Sequence, residues 1–384
     1  MKSIRNLLLA GAALSLAACA DQGPTAAGPR ASAPLHMARG AAIDGSYIVV
    51  LKEGADPRSV AAVAGVNPHF VYTAALNGFS AELNQGQLNA LQHNPGVDYI
   101  EQDQAYTVET TQSGATWGID RIDQRNRPLS GTYTYTASGS GVRAYIIDTG
   151  IQANHPQFGT RASAVYDALG GSGADCNGHG THVAGTIGST TYGVAKNALL
   201  RGVRVLNCSG SGSTSGIIAG IDWVRLNHIK PAVANMSLGG GLSSSLNTAA
   251  TNLVNAGVFL AVAAGNENQN ACNVSPASAS GTLTVASSTS SDAKSSFSNW
   301  GGCVDVYAPG SSITSTWINS GTATISGTSM ASPHAAGVAA LYKSAFGDAA
   351  SSTIVSWIIN NSTANVITGN VTGTPNRLLY KSTL

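Results

Sequence analysis

The sequence predicts an α/β protein, a mainly parallel sheet with helices on both faces, preceded by a small α+β domain. Three observations carry this. From about residue 110 onward, near-continuous apolar runs such as Tyr145-Ile146-Ile147 and Val258 to Ala264 alternate with helix-length segments, the pattern of strands buried on both faces. Polar clusters fall where those runs end, the carboxyl edge at which such sheets do their chemistry. Between Ala42 and Gln104, shorter alternating runs and two helix-like stretches make a pattern of their own.

Taken in order, the chain opens Met1-Lys2-Ser3-Ile4-Arg5 and continues through an apolar stretch from Leu7 to Ala18, too short to span a bilayer. This is an export signal over residues 1–20. Ala18-Cys19-Ala20 fits a small-x-small cleavage site, and Leu16-Ala17-Ala18-Cys19 resembles a bacterial lipobox, the favoured reading, in which Cys19 carries lipid. Residues 21–41, rich in Ala, Gly and Pro, read as a linker.

The domain expected over 42–109 starts with strand Tyr47–Leu51 and a helix from Pro57 to Ala64. Strands Phe70–Tyr72 and Gly78–Leu83, a helix near Gln85 to Gln92 and strand Val97–Glu101 follow. The order resembles a split βαβ unit of the ferredoxin-like kind. Asp103 to Gly114 is polar and irregular, which places a domain boundary and a processing site there.

Over 110–384, strands are expected at Val142–Ile147, Leu199–Leu206, Val233–Leu238, Val258–Ala264, Leu283–Ala286 and Val304–Tyr307. Helices are expected at His179–Ile187, Ile217–His228, Leu246–Ala256 and from about Ser329 and Ser351. Asp148 ends the first strand, half buried, and Asp148-Thr149-Gly150 taken alone is equally a turn. His179 follows a glycine turn, at the start of a small-residue helix. Ser329, in Gly327-Thr328-Ser329-Met330-Ala331-Ser332-Pro333-His334, is delivered by another glycine turn to a buried helix whose free N–H groups favour negative charge, and Pro333 predicts a local kink. By itself Ser329 also reads as a helix cap.

Serine, histidine and carboxylate at one sheet edge supply a nucleophile, a base with an ordinary pKa of about 6.5, and an anion that fixes the imidazole tautomer. Asn266, in Ala263-Ala264-Gly265-Asn266, brings a side-chain amide that could share an oxyanion hole with the Ser329 N–H. Asp148-Thr149-Gly150 is also the signature of aspartic peptidases, but no second Asp-Thr/Ser-Gly accompanies it. His179 and His182 are spaced i, i+3, not as H-E-x-x-H, which weakens a zinc hydrolase. Ser209 to Thr214 lacks the Gly-Lys-Ser/Thr ending of a nucleotide loop. A non-catalytic binding module has no need of Asp148, His179, Asn266 and Ser329 together.

Asp148-Thr149-Gly150, His179-Gly180-Thr181-His182-Val183-Ala184-Gly185 and Gly327 to His334, in the order Asp, His, Ser, resemble the three signature blocks of the subtilisin-like serine peptidases. Trp117 to Arg125, Ala234 to Gly240 and Pro375 to Tyr380 point within them to the proteinase K branch and its aqualysin-type members. The resemblance implies an exported, monomeric endopeptidase with a Ser329–His179–Asp148 triad, assisted by Asn266. It implies a propeptide over 42–109 that acts as chaperone and inhibitor, removed by self-processing between Glu109 and Thr110.

It also implies that Gly210, Ser211 and Gly212 with Ser237, Leu238 and Gly239 are edges between which an extended substrate adds a strand. Ala263, Ala264 and Gly265 would line a roomy apolar pocket, giving broad cleavage with apolar and aromatic preference. Four cysteines besides Cys19 allow three pairings, and the resemblance selects Cys176 with Cys208 and Cys272 with Cys303, each worth about 3 to 4 kcal/mol in the chain-entropy view. No cofactor is implied for catalysis. Structural calcium is implied at Asp305 with the Ser280 and Thr282 carbonyls, and more weakly at Asp120, Asp123 and Gln124.

Composition narrows the partners. The 384 residues are 43% apolar but only 10% charged, with a formal net charge of +1, against roughly 25% charged in an average soluble protein. Nothing here attracts nucleic acid. Beyond protein and peptide substrates and its own propeptide, the one further contact expected is a membrane, reached through the Cys19 lipid.

Overall fold

The computed structural model describes residues 32–38, 41–105 and 109–384. The export signal, Cys19 and residues 21–31 lie outside the described residues. Two compact units divide at about residue 106.

In the first unit, strands Ala41–Leu51, Phe70–Tyr72, Gly78–Glu82 and Val97–Ala105 form an antiparallel sheet with helices Pro57–Val63 and Gln85–Gln92. Reading across the sheet, Val97–Ala105 is followed by Ala41–Leu51, Gly78–Glu82 and Phe70–Tyr72, which is the split βαβ arrangement. Val49, Phe79, Ala81, Leu91 and Ile100 fill its core. Asp56 caps the first helix by accepting from the Ser59 N–H, and Asn84 with Gln87 forms a capping box on the second.

Two expectations need correction here. Within the expected linker, Leu35–His36 pairs in parallel with Val97–Ala105, and Ala33 is buried in the core. Apolar Ala33 and Leu35 find an open sheet edge, which a compositional reading of the segment does not reveal. The stretch expected to be irregular is also largely paired: Asp103 to Ala105 continue a strand, and Thr110–Ser113 pairs with Thr132–Tyr135.

The second unit is built on a nine-stranded sheet among the described residues. From one edge its order is Thr363–Ala364, Arg377–Leu378, Val306–Pro309, Leu283–Ser288, Phe259–Ala263, Ala232–Met236, Arg143–Asp148, Leu199–Arg204 and Ala162–Asp167. Every neighbouring pair is parallel except the first. Alternate residues of Arg143–Asp148 feed two cores. Ala144 and Ile146 pack toward the helices His179–Gly188 and Thr328–Phe346, whereas Tyr145 and Ile147 pack toward Thr214–Asn227 and Ser244–Asn255. Burial on both faces is why these strands read as unbroken apolar runs.

From Arg143–Asp148 the chain passes to the edge strand Ala162–Asp167 and back to Leu199–Arg204, both on one side, and then crosses to Ala232–Met236 on the other. Connections leaving a strand in opposite directions open a crevice at its carboxyl end. Asp148 stands there.

Thr328–Phe346 runs unbroken through Pro333; the proline cannot donate to the Ser329 carbonyl four residues back, and Ser237 Oγ donates to that carbonyl instead at 2.7 Å. Its small residues allow close approach: a Cβ on Gly337 would lie 2.5 Å from the Val194 Cβ. The structure pairs Cys176 with Cys208 and Cys272 with Cys303. No described helix is long and apolar enough to cross a membrane.

Candidate active site

Asp148 is completely buried, not half buried as expected. Its Oδ1 accepts from His179 Nδ1 and from the Thr149 N–H, both at 2.7 Å. That bond assigns the proton to Nδ1 and leaves Nε2 as the basic nitrogen. The His179 side chain remains 25% exposed. Burial, the largest influence on its pKa, acts downward, but the Asp148 charge, its hydrogen bond and the Asp175 charge together raise it above 6.5.

Gly178 caps the His179 helix with a left-handed backbone, φ 109°, where a Cβ would sit 2.3 Å from the Trp317 ring. Only glycine suits that position. The hairpin bearing Trp317 also grips the helix, because Ser315 and Thr316 hydroxyls donate to the His182 and Thr181 carbonyls. His182 is buried with Nε2 at 3.0 Å from the Ile313 carbonyl, and burial pushes its pKa down to about 4. It is a structural histidine.

Ser329 lies in the first turn of its helix, one residue after Thr328, and the cap is Gly327. Ser329 is therefore no cap. Gly327 has φ 163°, extended backbone open to any residue, so the turn does not demand glycine. Ser329 Oγ donates to the Ser237 carbonyl at 3.2 Å, and among the described residues no hydrogen bond joins it to His179. Ser237 Oγ in turn donates to the Ser329 carbonyl at 2.7 Å. Asn266 Oδ1 accepts from the Thr328 N–H and hydroxyl at 2.8 and 2.9 Å. Pinning the oxygen in this way turns Nδ2 toward the cavity that Asn266 lines together with Ser329.

Two cavities meet along the segment Leu238-Gly239. One, of about 500 Å³, is walled by His179, Ser209, Gly210, Ser211 and Gly212 on one side and Ser237, Leu238 and Gly239 on the other. The second, of about 270 Å³, is lined by Ala263, Gly265, Asn266, Thr328 and Ser329, but also by Glu267, Gln269 and Asn273. The expected apolar pocket is thus partly polar. Ala264 is not on its wall; it is completely buried among Ala271, Val274 and Ala277.

Of the implied metal positions, one fits and one does not. Asp305 Oδ2 accepts from the Thr284 N–H at 2.8 Å, and burial raises its pKa against the pull of that bond and of Arg377. A half-buried carboxylate held by one N–H suits a cation. Around Asp120 the oxygens are already taken: Oδ1 accepts from the Ser130 N–H and hydroxyl, and Oδ2 from the Gly131 N–H. Gln124 Oε1 accepts from Ser130, Asp123 Oδ2 accepts from Thr134, and burial pushes Asp123 up to about 6. With these oxygens already accepting from N–H and hydroxyl donors, the weaker set of Asp120, Asp123 and Gln124 does not fit a calcium ion. Ser130 and Thr132 also bond each other through their hydroxyls.

Residues that sequence reasoning missed are those that hold loops. Asn299 donates to the Ala264 carbonyl and accepts from the Glu267 and Gln269 N–H groups, so it shapes the turn bearing Asn266. Asp175, Thr149 and Thr328 do comparable work. Thr149 and Thr328 carried a signal as members of the signature blocks, though not for these bonds, and Asp175 as an acidic residue four positions before His179.

A parallel sheet with a buried carboxylate–imidazole pair at its carboxyl edge, and a serine and an asparagine amide lining the adjoining cavity, defines a serine endopeptidase. Known proteins agree. Residues 139–378 match the subtilase family of peptidases, and residues 64–109 match the peptidase inhibitor I9 family. The chain is 50% identical to an extracellular serine proteinase from Thermus sp. (strain Rt41A), with 96% of each covered. It is 53% identical to the subtilisin-like serine protease AsES of Sarocladium strictum, over 91% of this chain and 92% of that one. A crystal structure of a cold adapted subtilisin-like serine proteinase superposes with a TM-score of 0.69 at 53% identity, covering 70% of this chain and 99% of the other. The chain belongs to the subtilase family.

The His179 imidazole should titrate above 6.5 when followed by NMR, and Asp148→Asn should lower that midpoint. By linkage, protonated His179 contributes stability that is fully present below about pH 6.5 and is lost as pH rises through the folded-state pKa. A midpoint at or below 6.5 in the parent would contradict the electrostatic account.

Proposed function

We propose that the protein is an exported subtilase made as a self-processing zymogen, which cleaves peptide bonds through Ser329, His179 and Asp148. The observation that carries this reading is the 2.7 Å bond from His179 Nδ1 to a completely buried Asp148 at the rim of the substrate-sized cleft.

An extended peptide lies between Ser209–Gly212 and Ser237–Gly239, adding a strand to both edges. The side chain before the scissile bond enters the cavity at Ala263 and Gly265. Cleavage is broad with apolar and aromatic preference, tempered by the polar wall at Glu267 and Gln269. Ser329 Oγ turns from the Ser237 carbonyl to His179 Nε2, which takes its proton as the oxygen attacks the carbonyl carbon. Asp148 stabilises the imidazolium so formed. Asn266 Nδ2 and the Ser329 N–H receive the negative oxygen, the protonated His179 gives its proton to the leaving amine, and water repeats the sequence on the acyl-enzyme.

The first domain, 42–109, serves as chaperone and inhibitor and is removed between Glu109 and Thr110. Cys19 is lipidated before release of a monomeric, extracellular enzyme. Asp305, with the Ser280 and Thr282 carbonyls, would hold a structural calcium ion, which would supply oxygen-ligand cohesion to the fold and take no part in catalysis.

Two measurements test this. Expressed as the full chain, Ser329→Ala should lose both self-trimming near Thr110 and hydrolysis of a neutral apolar peptide, by about 10⁶-fold in kcat. A folded variant that trims and cleaves like the parent would reject the serine mechanism. Removing bound metal with chelator should lower the thermal midpoint of the parent and not of Asp305→Asn; equal shifts in the two would place the metal elsewhere.

A further inference from the structure

The turn from Asp175 to Thr181 carries the catalytic imidazole, yet its cap, Gly178, has no side chain to accept a bond, and Asn177 Oδ1 accepts only from the His179 N–H, at 3.2 Å. Asp175 takes that part from outside the helix. Its Oδ1 accepts from the Asn177 and Gly178 N–H groups and from the Thr149 hydroxyl, each at 2.9 Å. Its Oδ2 accepts from the Thr181 N–H at 2.9 Å and the Thr181 hydroxyl at 2.6 Å. Five donors from both sides of His179 therefore converge on one carboxylate.

The network also reaches the other member of the pair. Thr149, whose hydroxyl donates to Asp175, follows Asp148 directly, and its N–H donates to the same Asp148 oxygen that receives His179. The Thr149 hydroxyl accepts from the Gly180 N–H at 2.9 Å, closing a ring through strand end, turn and helix start. Among the described residues no Lys or Arg pairs with Asp175, so its negative charge is balanced only by neutral donors and remains felt nearby.

We propose that Asp175 is a positioning residue for the reaction: a second carboxylate that fixes His179 against Asp148 and supplies part of the negative field in which the imidazolium forms. This rests on the triad reading above. The charged and titratable groups around His179 are Asp148 from the strand, Asp175 from its own turn and His182 one turn along its helix. Arg204, on the neighbouring strand, turns its guanidinium to the Cys176 sulfur at 3.2 Å and to Asp167 at 3.3 Å. Both carboxylates act to raise the His179 pKa and His182 does not. An amide in place of Asp175 keeps one acceptor but removes the charge and forces a donor against at least one N–H.

The test is Asp175→Asn, matured from the full chain, with kcat and KM for a neutral apolar peptide followed against pH. We expect kcat to fall by about tenfold to a hundredfold, as small misplacement of a base does, with KM within about twofold, since Asp175 does not line either cavity. The acid limb of kcat/KM should move to lower pH. An unmoved acid limb overturns the proposal, whether kcat is retained or falls together with thermal stability. Should Asp175→Asn not accumulate folded, Thr181→Val decides instead: a lowered kcat at unchanged KM supports the positioning role, and a parent-like kcat overturns it. The parent's own acid limb reports the triad, and the displacement between the two curves reports Asp175, so the two ideas fail separately.

Discussion

The bond between Asp148 and His179 is the constraint on which the rest of the site depends. A carboxylate with no exposure to water is tolerated only when hydrogen bonds and a partner able to take positive charge replace its hydration. Here the Thr149 N–H and the imidazole do so at Oδ1, while Oδ2 has no hydrogen-bond partner among the described residues. That requirement fixes which nitrogen of His179 carries the proton, and hence which one faces the cleft. It also explains why Arg143–Asp148 must lie mid-sheet, between strands whose connections diverge: only there does a strand end deliver a side chain into a crevice, not to open solvent.

How the remaining groups are held follows from composition. With so few charged residues, the chain organises its site through hydroxyl and amide side chains bonded to backbone. Thr328 holds Asn266, Ser237 holds the Ser329 carbonyl, Asn299 shapes the turn bearing Asn266, and Ser315 with Thr316 grips the His179 helix. Such bonds are short-ranged and geometrically demanding, and little weakened by salt. They suit a site whose atoms must stay aligned while loops at its edges admit a substrate strand.

Much of the strand and helix pattern of both units was legible in the sequence because burial imposes a period on it, but the half-buried edge strand Ala162–Asp167 and the hairpin of Ile313–Trp317 with Gly321–Ile325 were not expected. Tyr145, Ile146 and Ile147 announce a strand covered on both faces, and the elements found there differ from expectation by only a few residues at their ends. The signature blocks were legible for the same reason that their residue types are few: glycine at a left-handed turn, and Asp, His and Ser at strand and helix ends. What could not be read is the long-range side-chain bonding. Asp175, Asn299 and Thr149 follow no period, and their partners depend on which loops meet in space. Leu35 gave no periodic sign of its strand, since a two-residue pairing is too short to show one. The Asp120 cluster was misread because acidic side chains suit a cation and a ring of N–H donors equally well until the donors are placed.

The most direct test of the account is the reaction of the mature enzyme with a sulfonyl fluoride, followed by mass spectrometry against pH in the parent and in Asp148→Asn. The account predicts a single adduct on Ser329 whose rate of formation rises as His179 loses its proton. In Asp148→Asn that rate should fall by roughly 10³- to 10⁴-fold, because the imidazole is left in the wrong tautomer. An adduct on another residue, or a rate on Ser329 indifferent to Asp148, would show that the buried carboxylate and its histidine do not activate this serine.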